Sequence, residues 1–412
     1  MLDGENFEPF SADELSDPRD RALANKLVNT ALRRHGHISQ IMKTLLDRGV
    51  PKRSGLFAPI LRIALAELLF MPDQPAHPPI FLAVEVIKQN TKTIHLKRLL
   101  NGVLREAQRR AEEFRSLDPF WLLPEWLRIK WVGDYGNSAL LAFAQALLVG
   151  APLDISLRED DPELIAGLNG KKVLPGTVRV MSRDKSVRDL PGYAEGLWWV
   201  QDVAASLAAR VVDAPKGTRI LDMCAAPGGK TAQLANGGYC VTVLDNDQGR
   251  LSRLADNMKR LQFDVEICVG DATNYAPDTL FDTVLIDAPC TATGTLRRHP
   301  EVLWNRTPED IKSRVILQRR IVENAARCLK PGGKLIYCVC SLESEEGEDL
   351  AAWIEKADLG LSLSPICAGD IGGFTQAITP QGWIRTHPGM DMPDDTLGTL
   401  DGFFVGRFVK AG

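Results

Sequence analysis

The chain lacks any long hydrophobic run. Its most apolar stretches, such as ILRIALAELLF and ALLAFAQALLVGA, are too short or too interrupted to cross a bilayer. The opening MLDGENFEPFSADELSD is acidic and has no apolar segment of the signal-peptide kind. A soluble, cytoplasmic protein with no membrane partner is therefore expected. The eight cysteines include no C-x-x-C pair, and none of the six histidines lies within 35 residues of the C-x-C at Cys338 and Cys340. That spacing argues against a metal site. A reducing cytosol argues equally against a disulfide. Two nucleotide-binding signatures are also missing. There is no G-x-x-x-x-G-K-[ST], which speaks against a P-loop, and no G-x-G-x-x-G, which speaks against a dinucleotide oxidoreductase. No internal repeat or low-complexity segment is present.

What is there begins with charge. The net charge of −4 is unevenly spread: the first twenty residues sum to −6, residues 21–110 to +11 and the remainder to −9. A basic N-terminal region suggests a polyanion partner, although solvated helix faces give the same count. Residues 1–20 read as a disordered acidic tail. From 21 to 135, apolar residues recur at three- and four-residue steps, as in RALANKLVNTALRRHGHISQIMKTLL, and predict an all-helical domain without a catalytic constellation. Residues 136–205 read as a small α+β connecting subdomain. There Trp198 and Trp199 are expected in packing, with base stacking the lesser reading.

From 206 to 412, near-continuous apolar strands alternate with amphipathic helices, the pattern of a doubly wound α/β sheet. Ligands of such sheets bind beyond the carboxyl ends of the strands, so each strand exit is informative. The first is LDMCAAPGGKT, where Gly228 and Gly229 admit a ligand to the backbone and the following helix offers its N-terminal N–H groups. The next two place Asp245 and Asp271 where ribose hydroxyls and a base would find them, which suggests an adenosyl ligand, although single strand-end acids are often turn formers. The fourth, LIDAPCTATGTLRRHP, puts Asp287 beside Cys290. The fifth, YCVCSLE, carries two cysteines on one strand face. Cys338 is expected in the core. Cys340, nearer the strand end, is either a buried free thiol or a thiol activated by a helix terminus or a cation.

Taken together, CAAPGGKT, DAPCTATG with RRHP, VCS, the lead-in WWVQDVAA and the terminal DGFF closely resemble the S-adenosylmethionine-dependent RNA cytosine-C5 methyltransferases. With the basic helical domain, which looks NusB-like, the whole chain resembles the ribosomal RNA small-subunit methyltransferase B (Fmu/Sun) group. The resemblance implies a Rossmann-like methyltransferase domain preceded by a NusB-like RNA-binding domain and the small α+β subdomain. It places S-adenosylmethionine on Cys224, Ala225, Ala226, Pro227, Gly228, Gly229 and Lys230, with Asp245 on the ribose, Asp271 on the adenine side and Asp287 nearby. It implies catalysis by a Cys340 thiolate adding to cytosine C6, with Asp287 at the base edge, Lys230 in electrostatic support and Cys290 assisting release. Arg297 and Arg298 become candidate RNA contacts, and His299 a structural residue. Small-subunit ribosomal RNA is the expected substrate, transfer RNA the alternative, and a monomer the expected state. The sequence departs from the family pattern at Val339, where Thr is usual, at LESEE, where Pro commonly follows the nucleophile, and at PLDISLRED, where Leu-Arg-Val-Asn is frequent.

Overall fold

The computed structural model describes residues 7–71, 77–182, 185–390, 392, 394 and 397–412. The chain divides into two compact units. The first runs through Val149 and includes His299–Asn305; the second holds Gly150–Arg298 and Arg306–Gly412.

The first unit is helical: α1 (Pro18–Arg33), α2 (His35–Leu45), α3 (Phe57–Phe70), α4 (His77–Lys88), α5 (Lys97–Arg109), α6 (Ala111–Arg115) and α7 (Glu125–Val149). Asp17 caps α1, accepting from the Arg19 and Asp20 N–H groups, and Pro18 occupies the first turn where its missing donor costs nothing. Two expectations need correction here. Residues 1–6 of the acidic segment lie outside the described residues, but 7–17 are not a free tail. The Phe7 N–H donates to Glu301 at 3.2 Å, the Phe10 N–H to Asn25 at 2.9 Å, and Glu14 accepts from Ser11. The boundary at 135 is also misplaced. The chain leaves helical dihedrals only at Gly136 (φ 79°, ψ 168°) and resumes the helix to Val149. The resumed half buries Leu140, Phe143, Ala144 and Leu147, and Phe143 meets Trp131 and Tyr135 edge-on, so it belongs with the helices.

Two buried histidines make this unit sensitive to acid. Arg34 Nη1 can only donate to His37 Nδ1 (3.1 Å), which leaves Nε2–H to donate to the Asp118 carbonyl (3.1 Å), so the ring is neutral. Burial lowers His35 to about 3 and His37 to about 4, with Arg62 and Arg34 adding to the effect. An unfolded imidazole takes its proton near pH 6.5, so between there and about 4 the unfolded state binds more protons and stability falls with falling pH. For His37 alone the loss is on the order of 3 kcal/mol. Urea unfolding at a series of pH values should show a midpoint that drops across this window, and His37→Gln should make the slope shallower.

The second unit opens with a four-stranded antiparallel sheet of order β2-β3-β1-β4. It comprises β1 (Leu153–Leu157), α8 (Pro162–Gly167), β2 (Gly170–Leu174), β3 (Thr177–Val180) and β4 (Trp198–Val200). Trp198 and Trp199 are buried in packing as expected, their indole N–H groups donating to the Pro191 carbonyl and to Gln201.

The main sheet follows α9 (Val203–Arg210). Its elements in chain order are β5 (Arg219–Met223), α10 (Gly229–Asn236), β6 (Cys240–Asp245), α11 (Gln248–Leu261), β7 (Glu266–Val269), β8 (Phe281–Asp287), then, after α12 (Val302–Asn305) of the first unit, α13 (Pro308–Cys328), β9 (Leu329–Val339), α14 (Glu348–Lys356), β10 (Leu361–Leu363), β11 (Ile384–Thr386) and β12 (Phe403–Lys410). The strand order is β10-β12-β9-β8-β5-β6-β7, with β11 on β12. Strands β5 to β9 are parallel, and β12 runs antiparallel beside β9. The winding direction reverses between β5 and β8, which is where such a sheet opens a crevice for a ligand. Both faces are covered, one by α9, α10 and α11 and the other by α13 and α14, which is why the strands read as continuous apolar runs.

Candidate active site

The loop leaving β5 folds back on β6. The Cys224 N–H donates to the Leu244 carbonyl at 2.8 Å, with Cys224 itself in the left-handed region (φ 59°). Gly228 caps α10 at φ 99°, and a Cβ there would stand 2.8 Å from Leu254, so both conformation and space require glycine. Asp245, buried at the end of β6, ties the loop down by accepting from the Ala226 N–H at 3.1 Å and the Asp247 N–H at 3.1 Å. Arg250, on α11, donates to the Ala226 carbonyl and lies 3.7 Å from Asp245.

The first turn of α10 aims Lys230 at Asp287 on the tip of β8, an ion pair of 2.6 Å. Burial by itself would push this ammonium down. The Asp287 charge and hydrogen bond outweigh it, with the Cys338 and Cys340 sulfurs helping, and hold it above its ordinary value. The Lys230 Nζ also sits 5.0 Å from the centre of the Phe403 ring. Beneath it Asp222 accepts from the Thr231 hydroxyl at 2.6 Å, and burial pushes its carboxyl up to about 7.

The tips of β8 and β9 are laced together. The Ala288 N–H donates to the Cys338 carbonyl at 2.9 Å and the Gly294 N–H to the Cys340 carbonyl at 3.1 Å. A Cβ on Gly294 would fall 2.0 Å from the Gly402 carbonyl oxygen, so this approach also needs glycine. The lacing brings the sulfurs of Cys290 and Cys340 to 3.5 Å. The hydrogen bond between them, then burial, raises the Cys290 thiol well above its ordinary value. Cys338 lies in the core with its thiol donating to the Ile286 carbonyl at 3.2 Å, as expected.

One cavity of about 830 Å³ collects Ala225, Ala226, Pro227, Gly229, Lys230, Asp287, Arg298 and Cys340. Six further expected residues do not line it, among them Arg297, described below. Cys290 stands directly behind Cys340. Cys224, Gly228 and Asp245 support the loop from outside, and burial pushes the Cys224 thiol up to about 12. Asp271 is exposed beyond β7, where its carboxylate caps a turn by accepting from the Thr273 N–H at 2.8 Å.

The two arginines separate. Arg298 is partly exposed, lines the cavity and pairs with Asp401 at 2.6 Å. Arg297 is fully buried: it pairs with Asp202 at 2.6 Å and Asp401 at 2.8 Å and donates to the Thr399 carbonyl at 2.8 Å. The expected RNA contact at Arg297 is thus corrected to an internal brace. Sequence reasoning missed Arg250 and the cavity-lining Phe403. The signal for Phe403 lay in the terminal DGFF; nothing but the position of Arg250 after the second strand exit marks it out.

Among the described residues no cluster of three or more His, Cys, Asp or Glu is placed to hold a metal ion, and no helix is long and apolar enough to cross a membrane. The cradle suits S-adenosylmethionine: Ala225, Ala226 and Gly229 leave the backbone open along one wall, and an acid stands at the end of the neighbouring strand. A sheet of this order, with that loop at its switch point, defines a Rossmann-like methyltransferase. Comparison with known proteins agrees. The family described as 16S rRNA methyltransferase RsmB/F matches residues 209–407, and the NusB family matches 3–109. Ribosomal RNA small subunit methyltransferase B of Xylella fastidiosa (strain 9a5c) is 34% identical, covering 96% of this chain and 93% of that protein. The protein of the same name from Vibrio vulnificus (strain YJ016) is 33% identical, covering 95% and 92%. The crystal structure of PH0851 shares the fold, with a TM-score of 0.75 and 24% identity over 96% of this chain and 92% of that one. The chain belongs to the ribosomal RNA small-subunit methyltransferase B family. It is an enzyme, and its methyl donor is S-adenosylmethionine.

Proposed function

We propose that the protein methylates C5 of a cytosine in small-subunit ribosomal RNA through a covalent bond between Cys340 and C6 of the base. The observation that carries this reading is the thiol of Cys340 in the same cavity as the Lys230–Asp287 pair and the loop 225–230, with a second thiol 3.5 Å behind it. C5 of cytosine is a poor nucleophile. Addition of the Cys340 thiolate to C6 shifts the C5–C6 electron pair so that C5 becomes nucleophilic, while N3 takes a proton from solvent that it gives back when Cys340 is expelled. Asp287 accepts a hydrogen bond from that N3–H, and Lys230, paired with Asp287 at 2.6 Å, holds its carboxylate in place and balances its charge. Ala225, Ala226, Pro227, Gly229 and Lys230 would hold S-adenosylmethionine, with Cys224, Gly228 and Asp245 shaping their loop, and the bound cofactor would supply the methyl group that C5 takes. The C5 proton then departs to a base, the C5–C6 double bond re-forms and Cys340 is expelled, with Cys290 assisting this release. The base must leave its stack to enter the cavity, and Arg298 is positioned to meet the backbone beside it.

The test is nucleoside mass spectrometry on separated RNA classes, naked and partly assembled, after incubation with the protein and S-adenosylmethionine. 5-Methylcytidine in small-subunit ribosomal RNA alone is expected. The same product in transfer RNA alone would keep the chemistry and replace the substrate. A product other than 5-methylcytidine would end the reading.

A further inference from the structure

The acidic tract SLESEEGE after Cys340 is not simply a solvated loop. Glu346 is fully buried. Its Oε1 accepts from the Thr291 N–H at 2.9 Å and from Gln318 Nε2 at 3.1 Å; its Oε2 accepts from the Ser341 hydroxyl at 2.6 Å and from the Thr291 hydroxyl. Thr291 directly follows Cys290, and Ser341 directly follows Cys340. Gln318 also donates to the Pro289 carbonyl at 3.1 Å, so the residues on both sides of Cys290 are fixed to the same carboxylate. Burial raises the carboxyl above its ordinary value, and the four donated hydrogen bonds, which favour the ionised form, oppose that rise.

Charge around the two thiols is therefore unequal. The Lys230 and Arg298 cations line the cavity with Cys340 and interact with its sulfur. The Glu346 anion acts on Cys290, adding to the hydrogen bond it shares with Cys340 and to burial in raising that thiol. Two cysteines 3.5 Å apart would otherwise be chemically alike, and either could attack a base.

We propose that Glu346 is a positioning residue: bonded to Thr291 and Ser341, it sets its charge on the Cys290 side of the sulfur pair, opposite the Lys230 and Arg298 cations that line the cavity with Cys340, so that a carboxylate shared by the two loops decides which cysteine attacks. This assignment rests on the cytosine-C5 reading for its purpose, but its test needs neither RNA nor cofactor. The purified full-length protein is pulsed with limiting iodoacetamide from about pH 6.5 to about 9.5, and modified Cys290 and Cys340 peptides are quantified by mass spectrometry. Access scales a rate without moving its midpoint in pH, so the midpoints report the thiols themselves. In the wild type the Cys290 midpoint should lie above that of Cys340. Glu346→Gln should raise the Cys290 rate about tenfold at a pH below both midpoints, a shift of about one pH unit. Glu346→Asp, which retains the charge, should stay close to wild type in that ratio.

A Cys290 midpoint at or below that of Cys340 in the wild type would overturn the proposal, and that measurement stands even if Glu346→Gln does not fold. So would a folded Glu346→Gln protein with an unchanged Cys290 profile, or a Glu346→Asp protein that behaves like Glu346→Gln, since a purely structural clamp would do either. If RNA methylation at cytosine C5 fails while the thiol profiles shift as expected, the function reading falls and the role of Glu346 remains.

Discussion

Cys290→Ala protein incubated with substrate RNA and S-adenosylmethionine should migrate as a covalent RNA–protein complex on a denaturing gel, whereas Cys340→Ala should give no complex and no product. The asymmetry follows from the geometry. Cys340 lines the cavity and Cys290 stands 3.5 Å behind it, so on the proposed mechanism removing Cys340 deletes the attacking sulfur, and removing Cys290 deletes only the group that helps it leave. Loss of the nucleophile should reduce turnover by at least about four orders of magnitude, in line with removal of an essential covalent catalyst. The double variant should resemble Cys340→Ala. A Cys290→Ala enzyme that turns over normally and carries no RNA would refute the division of labour. A complex formed by Cys340→Ala would reverse it.

The second large effect concerns stability. Arg297→Met should destabilise the second unit by roughly 3–5 kcal/mol, because Asp202 and Asp401 would then remain buried with half their charge balance gone. Burial and the neighbouring Asp401 already push Asp202 up to about 6, so without the guanidinium that carboxyl should take a proton near neutral pH. The companion Arg298→Met leaves Arg297 in place and removes a partly exposed partner. It should melt close to wild type while weakening RNA binding. Thermal unfolding of both variants, with RNA affinity for the second, separates a brace from a contact. Equal loss of stability in the two would contradict the structural distinction drawn between adjacent arginines.

The strand exits that form the candidate site were legible because the sheet is buried on both faces: its strands read as apolar runs, and polar or reactive residues at their ends stand out. Asp287, Cys290 and Cys340 are of this kind. The difference between Arg297 and Arg298 was not legible, since the partners of Arg297 lie 95 and 104 residues away and the RRHP text treats both alike. The role of Glu346 was hidden for a similar reason. In ESEE nothing local says that Glu343 and Glu346 turn inward, and only the fold brings Thr291 to Glu346 across 55 residues. The helical boundary was misread because GDYGN looks like a terminus, whereas the apolar face resumes directly after Gly136.

The position of β12 has a consequence for the order of events during synthesis. This strand lies between β9 and β10, yet it is made after both, and Asp401 and Phe403 arrive with it. A nascent chain that has completed β9 already carries both thiols and the loop at 225–230, but its Arg297 has only one of its two carboxylates and its cavity lacks a wall. Such a chain can hold the helical domain folded, since domains form as units from the N-terminus, while its cavity is still open on one side. The wall is closed only when the last strand is in place.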